Sequence, residues 1–314
     1  MNRVAVLEVG GTHAAAAWVE PGSWTVQPAT GGRLALPSDG SAVDLLAAFT
    51  HCLTALGPLG GCTLAVAMPG PFDYDTGVGR FSGVGKFDAL NGVDVGAAVR
   101  ERLPEPPERI AFVNDAGAFG LGEWLVGSGA GRQRIVAITL GTGVGSAFVD
   151  AGTLVSSWPL VPPEGHVYRL EIGGRPLEDT VSRRAMLARY RASASGSCNQ
   201  NVDVRQIAEL AASGDADARD AFVGPLRALG SSLAPWLERF AAQAVVVGGS
   251  MSESWTLVEP ALRDGLRGTA VADVPIVRTN DADVATAAGA AWHAVGGIEQ
   301  PAQDVPAVDP GEAR

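Results

Sequence analysis

A unit of strand, glycine turn and strand occurs twice in this sequence, and the repetition restricts the folds available to the chain. Residues 4–9 form a short apolar run that stops at a Gly-Gly pair before residues 14–19 continue it. About 130 residues farther on, residues 135–140 stop at a second glycine-rich turn, 141–145, and the apolar run then continues. Helical and strand-like segments follow each copy, so the sequence predicts two related α/β halves rather than one long sheet.

The length of 314 residues corresponds to about two domains. We expect an N-terminal lobe over residues 1–115 and a C-terminal lobe over residues 116–297. The last helix, over about residues 281–295, is expected to pack back on the first lobe. Residues 298–314 contain three prolines and no hydrophobic periodicity, so they are predicted to form a disordered tail.

Composition excludes several classes of partner and environment. Twenty-three Lys and Arg against 34 Asp and Glu give a net charge of −11, which argues against nucleic acid. No signal peptide or membrane-spanning stretch is visible. Cys52, Cys62 and Cys198 are odd in number and widely spaced, which excludes a disulfide framework and a zinc-finger spacing, so a cytoplasmic protein is expected. The single lysine, Lys86, beside 22 arginines is interpreted as the mark of a GC-rich genome.

The two glycine turns are candidate phosphate-binding loops. Glycine makes up about 13% of the chain against a usual ~7%, and many glycines fall at strand ends, where a side chain would block close approach to the backbone. Residues 10–12 and 141–143 each offer backbone N–H groups and one hydroxyl to a polyanion. Each turn alone is better interpreted as a tight hairpin, but their recurrence in matching contexts favours phosphate binding.

Two other nucleotide motifs are excluded by inspection. A P-loop ending at Gly85-Lys86 would need glycine at position 80 and Ser or Thr at position 87, where Arg80 and Phe87 stand. The glycines of the second turn alternate strictly and lead into a strand, whereas a dinucleotide fingerprint leads into a helix.

Asp115 is a candidate general base. It follows Asn114 at the end of a predicted buried strand, residues 109–113, and the carboxyl ends of parallel strands are where open α/β sheets place their sites. Phosphoryl transfer needs a carboxylate that orients the attacking hydroxyl and accepts its proton. The alternative interpretation is that Asp115 caps the helix predicted over residues 116–125.

Six stretches of the sequence resemble the ROK family of sugar kinases and repressors, and they follow the family's order over about residues 3–295. One short motif would be weak, but six in order are specific. The stretches are Leu7-Glu8-Val9-Gly10-Gly11-Thr12, residues 66–71, Val113-Asn114-Asp115-Ala116, residues 120–124, residues 139–145 and residues 245–249.

The resemblance implies a two-lobed, actin-like ATPase fold of the ribonuclease H-like type with duplicated halves. It also implies ATP and Mg²⁺ in the cleft between the lobes and a sugar hydroxyl as phosphoryl acceptor, and we expect a homodimer. By resemblance, Asn114 contacts the sugar and Asp115 is the catalytic base. The residues implied to bind ATP and its metal are Glu8, Gly10, Gly11, Thr12, Thr139, Gly141, Thr142, Gly143, Gly248 and Gly249.

The sequence departs from the family pattern at both metal sites. The first phosphate motif usually begins with Asp and here begins with Glu8, which we expect to hold Mg²⁺ through water. The family's zinc-binding cysteine cluster corresponds to residues 171–178, which contain no cysteine, so no structural zinc is expected. His166 matches the family histidine and is expected to orient the acceptor.

The acceptor-binding positions depart as well. Pro163 occupies the place of the family's sugar-binding glutamate, Glu164 stands one residue closer to the histidine, and Glu178 is a second acceptor-binding candidate. A carboxylate recognises vicinal hydroxyls because it accepts two hydrogen bonds. These changes suggest kinase chemistry on an acceptor other than ordinary glucose, such as an amino sugar or a C7 cyclitol, a ring polyol that ROK-like kinases phosphorylate.

Two other functions are weighed against a kinase. ROK repressors carry an N-terminal winged helix-turn-helix, for which a first strand beginning at about Arg3 leaves no room. A catalytically silent sugar sensor of the same fold is favoured by Glu8 and the altered acceptor loop, and disfavoured by the retained base and loops.

Overall fold

Two five-stranded mixed sheets form the framework of the protein. The computed structural model describes residues 3–193 and 202–296, so Cys198 and the predicted tail over residues 298–314 lie outside the described residues. The strands are β1 (Val4–Val9), β2 (His13–Glu20), β3 (Thr25–Ala35), β4 (Thr63–Met68), β5 (Phe72–Asp73), β6 (Val78–Gly79), β7 (Arg109–Asn114), β8 (Arg134–Leu140), β9 (Val144–Asp150), β10 (Thr153–Leu154), β11 (Glu171–Ile172), β12 (Arg175–Pro176), β13 (Ala244–Gly248) and β14 (Ile276–Arg278).

The two sheets have the same topology. The first has the strand order β3-β2-β1-β4-β7 and the second has the order β10-β9-β8-β13-β14. In each sheet an antiparallel three-stranded meander continues into two parallel strands. The prediction of two related α/β halves is therefore confirmed.

The central strands are apolar because helices cover both of their faces. Five of the six residues of β1 and all five of β13 are buried. The helices are α1 (Ala42–Thr54), α2 (Val95–Arg102), α3 (Asp115–Leu125), α4 (Glu178–Val181), α5 (Arg183–Ser193), α6 (Val204–Ala212), α7 (Ala216–Arg239), α8 (Trp255–Leu266) and α9 (Ala282–Ala294). Within the described part of the chain, no helix has the length and apolar character needed to cross a bilayer.

Helices α3 and α9 lie between the two sheets. Alanines 287, 290, 291 and 294 of α9 share a buried cluster with apolar residues of β1 and β4, so the last helix packs on the first sheet. Phe119 and Leu121 of α3 pack instead with residues of β8 and β9. The boundaries of the two lobes, at residues 1–115 and 116–297, stay a prediction.

Glycines allow these two helices to approach closely. A Cβ on Gly122 of α3 would overlap the backbone of Ala285, and a Cβ on Gly289 of α9 would overlap the carbonyl of Ala118. Any side chain at either position would therefore force the helices apart, which explains why glycine interrupts both helices despite its low helix propensity. The α3–α9 pair forms the floor of the cleft between the sheets.

Candidate active site

The parallel strands of both sheets end at one cleft, as expected for an open α/β sheet. A cavity of about 520 Å³ lies there. Its lining comes from both halves of the chain and includes Glu8, Gly10, His13, Arg33, Asp115, Thr139, Gly249, Ser252, Thr279 and Asp283. Five of these residues, Glu8, Gly10, Asp115, Thr139 and Gly249, were expected from the sequence.

The two glycine turns are hairpin loops that face each other. The Gly10 N–H donates to the His13 carbonyl over 2.8 Å, and the Gly141 N–H donates to the Gly143 carbonyl over 3.0 Å. A Cβ on Gly11 would lie 3.1 Å from Lys86 Nζ and 3.7 Å from Thr142 Oγ1. The loops are thus tight hairpins, and they also enclose a narrow space beside Gly11 that a backbone, a hydroxyl and an ammonium group surround. These groups fit the phosphates of a nucleotide.

Asp115 is the first residue of α3, but it is not the N-cap. Asn114 caps the helix, since its Oδ1 accepts a 3.2 Å hydrogen bond from the Gly117 N–H. The alternative interpretation of Asp115 as the cap is therefore wrong, and the sequence could not distinguish two adjacent residues that both cap well. Asp115 Oδ1 accepts the Ala116 N–H at 2.9 Å.

The surroundings of Asp115 strengthen it as a base. Protein atoms surround its carboxyl group at the floor of the cleft, although part of the residue stays accessible to solvent. Burial raises the pKa of Asp115, while the Ala116 N–H and the Lys86 ammonium act in the opposite direction. A raised pKa makes the carboxylate a better proton acceptor at neutral pH.

A half-buried tyrosine holds the Asn114 amide. Asn114 Nδ2 donates to the Tyr74 hydroxyl over 2.9 Å, and the hydroxyl donates to the Met68 carbonyl over 3.1 Å. Burial raises the pKa of Tyr74. The tyrosine thus ties the end of β4 to the end of β7 and fixes the amide that the resemblance assigns to the sugar.

Glu8 lies in a cluster that suits a divalent cation. Its side chain is 16% exposed, and His13 Nε2 stands 3.9 Å from its Oε1. Burial, followed by the charge of Asp283, raises the pKa of Glu8 to about 8. Glu8, His13 and Asp283 each offer a ligand atom within 4.8 Å of the others, and the two carboxylates are hard donors of the kind that Mg²⁺ prefers. Arg33 Nη1 also pairs with Asp283 at 2.6 Å.

Glu178 lies against the second hairpin rather than on the acceptor side alone. A Cβ on Gly143 would overlap its Oε1, and its carboxylate accepts the Val144 N–H. Burial raises the pKa of Glu178, and Lys86 is among the charges that lower it. Glu178 therefore connects the predicted acceptor side to the phosphate loop.

The turn that carries Glu164 and His166 is fixed by a buried hydroxyl. Ser146 Oγ donates to the Gly165 carbonyl at 2.7 Å and accepts the Val167 N–H at 2.9 Å. His166 stacks on Tyr168 with ring centroids 5.0 Å apart.

Glu164 faces solvent instead of the cavity. Its side chain is 62% exposed, and its carboxylate pairs with Arg169 at 2.9 Å and with His166 Nε2 at 3.5 Å. The backbone of Glu164 is left-handed, with φ of 58°. That turn directs the carboxylate toward Arg169, which sequence spacing alone does not reveal.

The glycines at the end of β13 also serve packing. A Cβ on Gly248 would lie 2.5 Å from Phe119, and Gly249 has φ of 83° and abuts the backbone of Leu140. Gly249 lines the cavity, while Gly248 is the last residue of β13. The nucleotide contact expected of both glycines stays a prediction.

The segment matching the family's cysteine cluster is a hairpin. Glu171 and Ile172 pair with Pro176 and Arg175 around two glycines that both have positive φ. Cys52 and Cys62 are buried free thiols far from this hairpin in sequence. The absence of structural zinc remains a prediction.

Four residues of the site were missed by sequence reasoning. Tyr74, His13 and Asp283 become functional candidates only through contacts across the fold. Lys86 is a fourth, because its side chain faces Gly11 although its rarity was attributed to genome composition. The sequence signal that could have indicated Lys86 is that it is the single lysine of an arginine-rich chain.

The fold and the cleft first define a class: two ribonuclease H-like halves around a ligand cleft are the actin-like ATPase fold. The chain belongs to the ROK family, whose family model matches residues 4–296. The membership expected from six sequence stretches is thus confirmed.

Known relatives extend this assignment. A glucokinase from Thermotoga maritima is 28% identical over 223 residues, which cover 64% of this chain and 68% of that one. A glucokinase from Streptomyces coelicolor is 28% identical over 175 residues, which cover 49% of this chain and 55% of that one. The matched part thus spans between about half and two thirds of these relatives.

Solved structures share the fold over nearly the whole chain. A ROK family glucokinase from Streptomyces griseus in complex with glucose and AMPPNP superposes with a TM-score of 0.73 at 21% identity, covering 94% of this chain and all of that one. A ROK hexokinase from Thermus thermophilus superposes with a TM-score of 0.71 at 23% identity, covering 94% and 98%.

Proposed function

We propose that the protein is a carbohydrate kinase that transfers the terminal phosphoryl group of ATP to a hydroxyl of a sugar or a sugar-like polyol. The observation that carries the proposal is the convergence of both glycine hairpins with a carboxylate in one cleft: Gly11 lies beside Thr142 and Lys86, and Lys86 acts electrostatically on Asp115. The names of the matched relatives, glucokinases among them, support the same activity.

The proposed mechanism assigns each group one task. Backbone N–H groups of residues 11–12 and 142–143, which take no part in the bonds that close the hairpins, position the phosphates, because the glycines at 11 and 143 allow a close approach. Asp115 accepts the proton of the attacking hydroxyl as the new oxygen–phosphorus bond forms. Tyr74 keeps the Asn114 amide oriented toward the acceptor.

Mg²⁺ bound with ATP supplies the positive charge that phosphoryl transfer requires. Glu8 would hold the ion, directly or through water, with Asp283 beside it. Binding the ion also stabilises the ionised form of Glu8, whose burial otherwise favours the protonated form.

The proposed acceptor is a ring polyol other than ordinary glucose, such as an amino sugar or a C7 cyclitol. Two observations support this specificity. Pro163 cannot accept hydrogen bonds through a side chain, and Glu164 is turned toward Arg169. Glu178 and His166 are left, together with Asn114, as the polar groups for acceptor hydroxyls.

Turnover of ATP against a panel of acceptors tests the proposal. We expect ADP formation with Mg²⁺ that depends on one acceptor class among hexoses, amino sugars and cyclitols, with the phosphorylated product identified by ³¹P NMR. A silent sensor, which Glu8 in place of Asp favours, would bind a sugar without forming ADP. The absence of ATP turnover with all three classes of acceptor would therefore contradict the proposed kinase function.

A further inference from the structure

The one lysine of the chain is held firmly at the cleft. Lys86 belongs to the connection between β6 and α2, and the backbone N–H groups of Val84 and Gly85 donate to the Asp88 carboxylate at 3.1 and 3.3 Å. The next residue, Phe87, is 2% exposed, and its N–H donates to the Ser38 carbonyl over 2.6 Å. The backbone on both sides of Lys86 is thus anchored, so the fold fixes the position from which its side chain extends.

The ammonium group points between the two hairpins. A Cβ on Gly11 would lie 3.1 Å from Lys86 Nζ. Among the described residues, Lys86 has no ion pair within 4.0 Å, although the carboxylates of Glu178 and Asp115 act on it electrostatically. Burial lowers the pKa of Lys86, because the half-buried ammonium has lost part of its hydration. A nearby anion would compensate this loss and stabilise the charged form.

A phosphoryl group in transfer is such an anion. It must lie beside the hairpin at Gly11 and within reach of the oxygen that Asp115 deprotonates, and Lys86 Nζ stands at the edge of that space. A compact ammonium suits this narrow position, where even a Cβ on Gly11 would lie 3.1 Å from Nζ.

We propose that Lys86 is a catalytic residue whose ammonium contacts the phosphoryl group as it passes from ATP to the acceptor. The inference rests on the proposed kinase function and deepens it. The bond between the phosphorus and the bridging oxygen of ADP breaks while the acceptor oxygen bonds to phosphorus. Asp115 takes the acceptor's proton, and Lys86 keeps its own protons throughout, contributing only charge.

Because the chain has a single lysine, amine acetylation of the wild-type protein reports directly on this position. Limited acetic anhydride treatment and peptide mass spectrometry would give the acetylation rate at Lys86, with the terminal amine resolved in another peptide. We expect AMPPNP with Mg²⁺ to slow acetylation at least about tenfold, and AMP to have little effect because it lacks the outer phosphates. Two results would overturn the role of Lys86 without touching the proposed kinase function. One is that AMP protects Lys86 from acetylation as well as AMPPNP does. The other is that AMPPNP, shown by calorimetry to be bound, gives no protection.

Calorimetry also separates this inference from the proposed function. If AMPPNP does not bind at all, both the proposed kinase function and the proposed role of Lys86 are wrong. If it binds but leaves Lys86 reactive, only the role of Lys86 falls.

Substitutions supply the kinetic test. Lys86→Met keeps the length of the side chain and removes its charge, so kcat should fall roughly 10²- to 10³-fold while the Kd for AMPPNP changes much less. Ethylamine added to Lys86→Ala should restore activity at least about tenfold. Arg80→Met, which removes an exposed cation from the same connection, should keep kcat within about twofold of wild type. Unchanged kcat in Lys86→Met would contradict the proposal.

Discussion

Asn114 Nδ2 lies 2.9 Å from the Tyr74 hydroxyl, and this hydrogen bond orients the amide next to Asp115. The bond joins two strand ends of the first sheet, because the same hydroxyl donates to the Met68 carbonyl. A residue outside the sequence motifs therefore determines how a motif residue faces the cleft.

Removing this hydroxyl should affect the acceptor and not the nucleotide. In Tyr74→Phe, the Asn114 amide loses one partner while its Oδ1 still caps α3. A lost hydrogen bond of about 1 kcal/mol corresponds to a roughly fivefold higher KM for the acceptor. Steady-state kinetics with each substrate varied would check this, and a change confined to the KM for ATP would count against the role of Asn114.

Glu178→Gln tests whether this carboxylate, on the other side of the cleft from Asn114, binds the acceptor. Glutamine can still accept the Val144 N–H, so the second hairpin should stay in place. We expect the KM for the acceptor to rise far more than the KM for ATP, because the carboxylate no longer pairs with two hydroxyls.

Specificity assays with the unmodified protein complete that test. Glucose should be a poor substrate by comparison with the preferred polyol. Glucose kinetics as good as those of any amino sugar or cyclitol, or a Glu178→Gln effect confined to ATP, would contradict the proposed acceptor class.

Glu8 should make the metal-free protein less stable at alkaline pH. The pKa of Glu8 is raised from 4.5 to about 8, so the folded state binds this proton more tightly than the unfolded state does. The stabilisation is fully present below pH 4.5 and is lost as pH rises through about 8. Glu8→Gln removes this dependence, and its advantage in the free energy of unfolding should reach up to about 5 kcal/mol at pH 9.

Urea unfolding in EDTA at pH 5 and pH 9 would measure this difference. Glu101→Gln, on an exposed position of α2, is the matched control and should show no such trend. A Glu8→Gln advantage that is the same at both pH values would show that Glu8 is not buried as described.

Gly289→Ala should destabilise the protein through the contact between α3 and α9. The new Cβ would overlap the Ala118 carbonyl, so the two helices must separate at a cost of about 3 kcal/mol. Gly224→Ala is the control in α7, because its Cβ meets only side-chain atoms at 3.6 and 3.8 Å. That control should gain up to about 1 kcal/mol from helix propensity. Thermal unfolding of both variants checks the contrast, and equal melting temperatures would refute the close crossing.

The sequence predicted the elements that depend on local pattern. The apolar runs ending in glycine became β1 and β8, and the helix predicted over residues 116–125 is α3. The strand β3 was not predicted, because Pro28 and two glycines interrupt its pattern while pairing with β2 determines its structure.

The site could be predicted only where a motif carries it. Asp115 and the hairpins follow from strand ends, whereas the roles of Tyr74 and Lys86 depend on segments that meet only in the folded chain. Glu164 was predicted wrongly for the opposite reason. Its place in a motif predicted a contact with the acceptor, but its left-handed backbone turns the carboxylate toward Arg169.

The kcat of Asp115→Asn tests the central claim most directly. Asparagine keeps the oxygen that accepts the Ala116 N–H but cannot take a proton from the acceptor. We predict a fall in kcat of about 10²-fold or more, with AMPPNP affinity and melting temperature close to those of the wild type. Turnover near the wild-type value in a folded, nucleotide-binding variant would contradict the account of this cleft as a kinase active site.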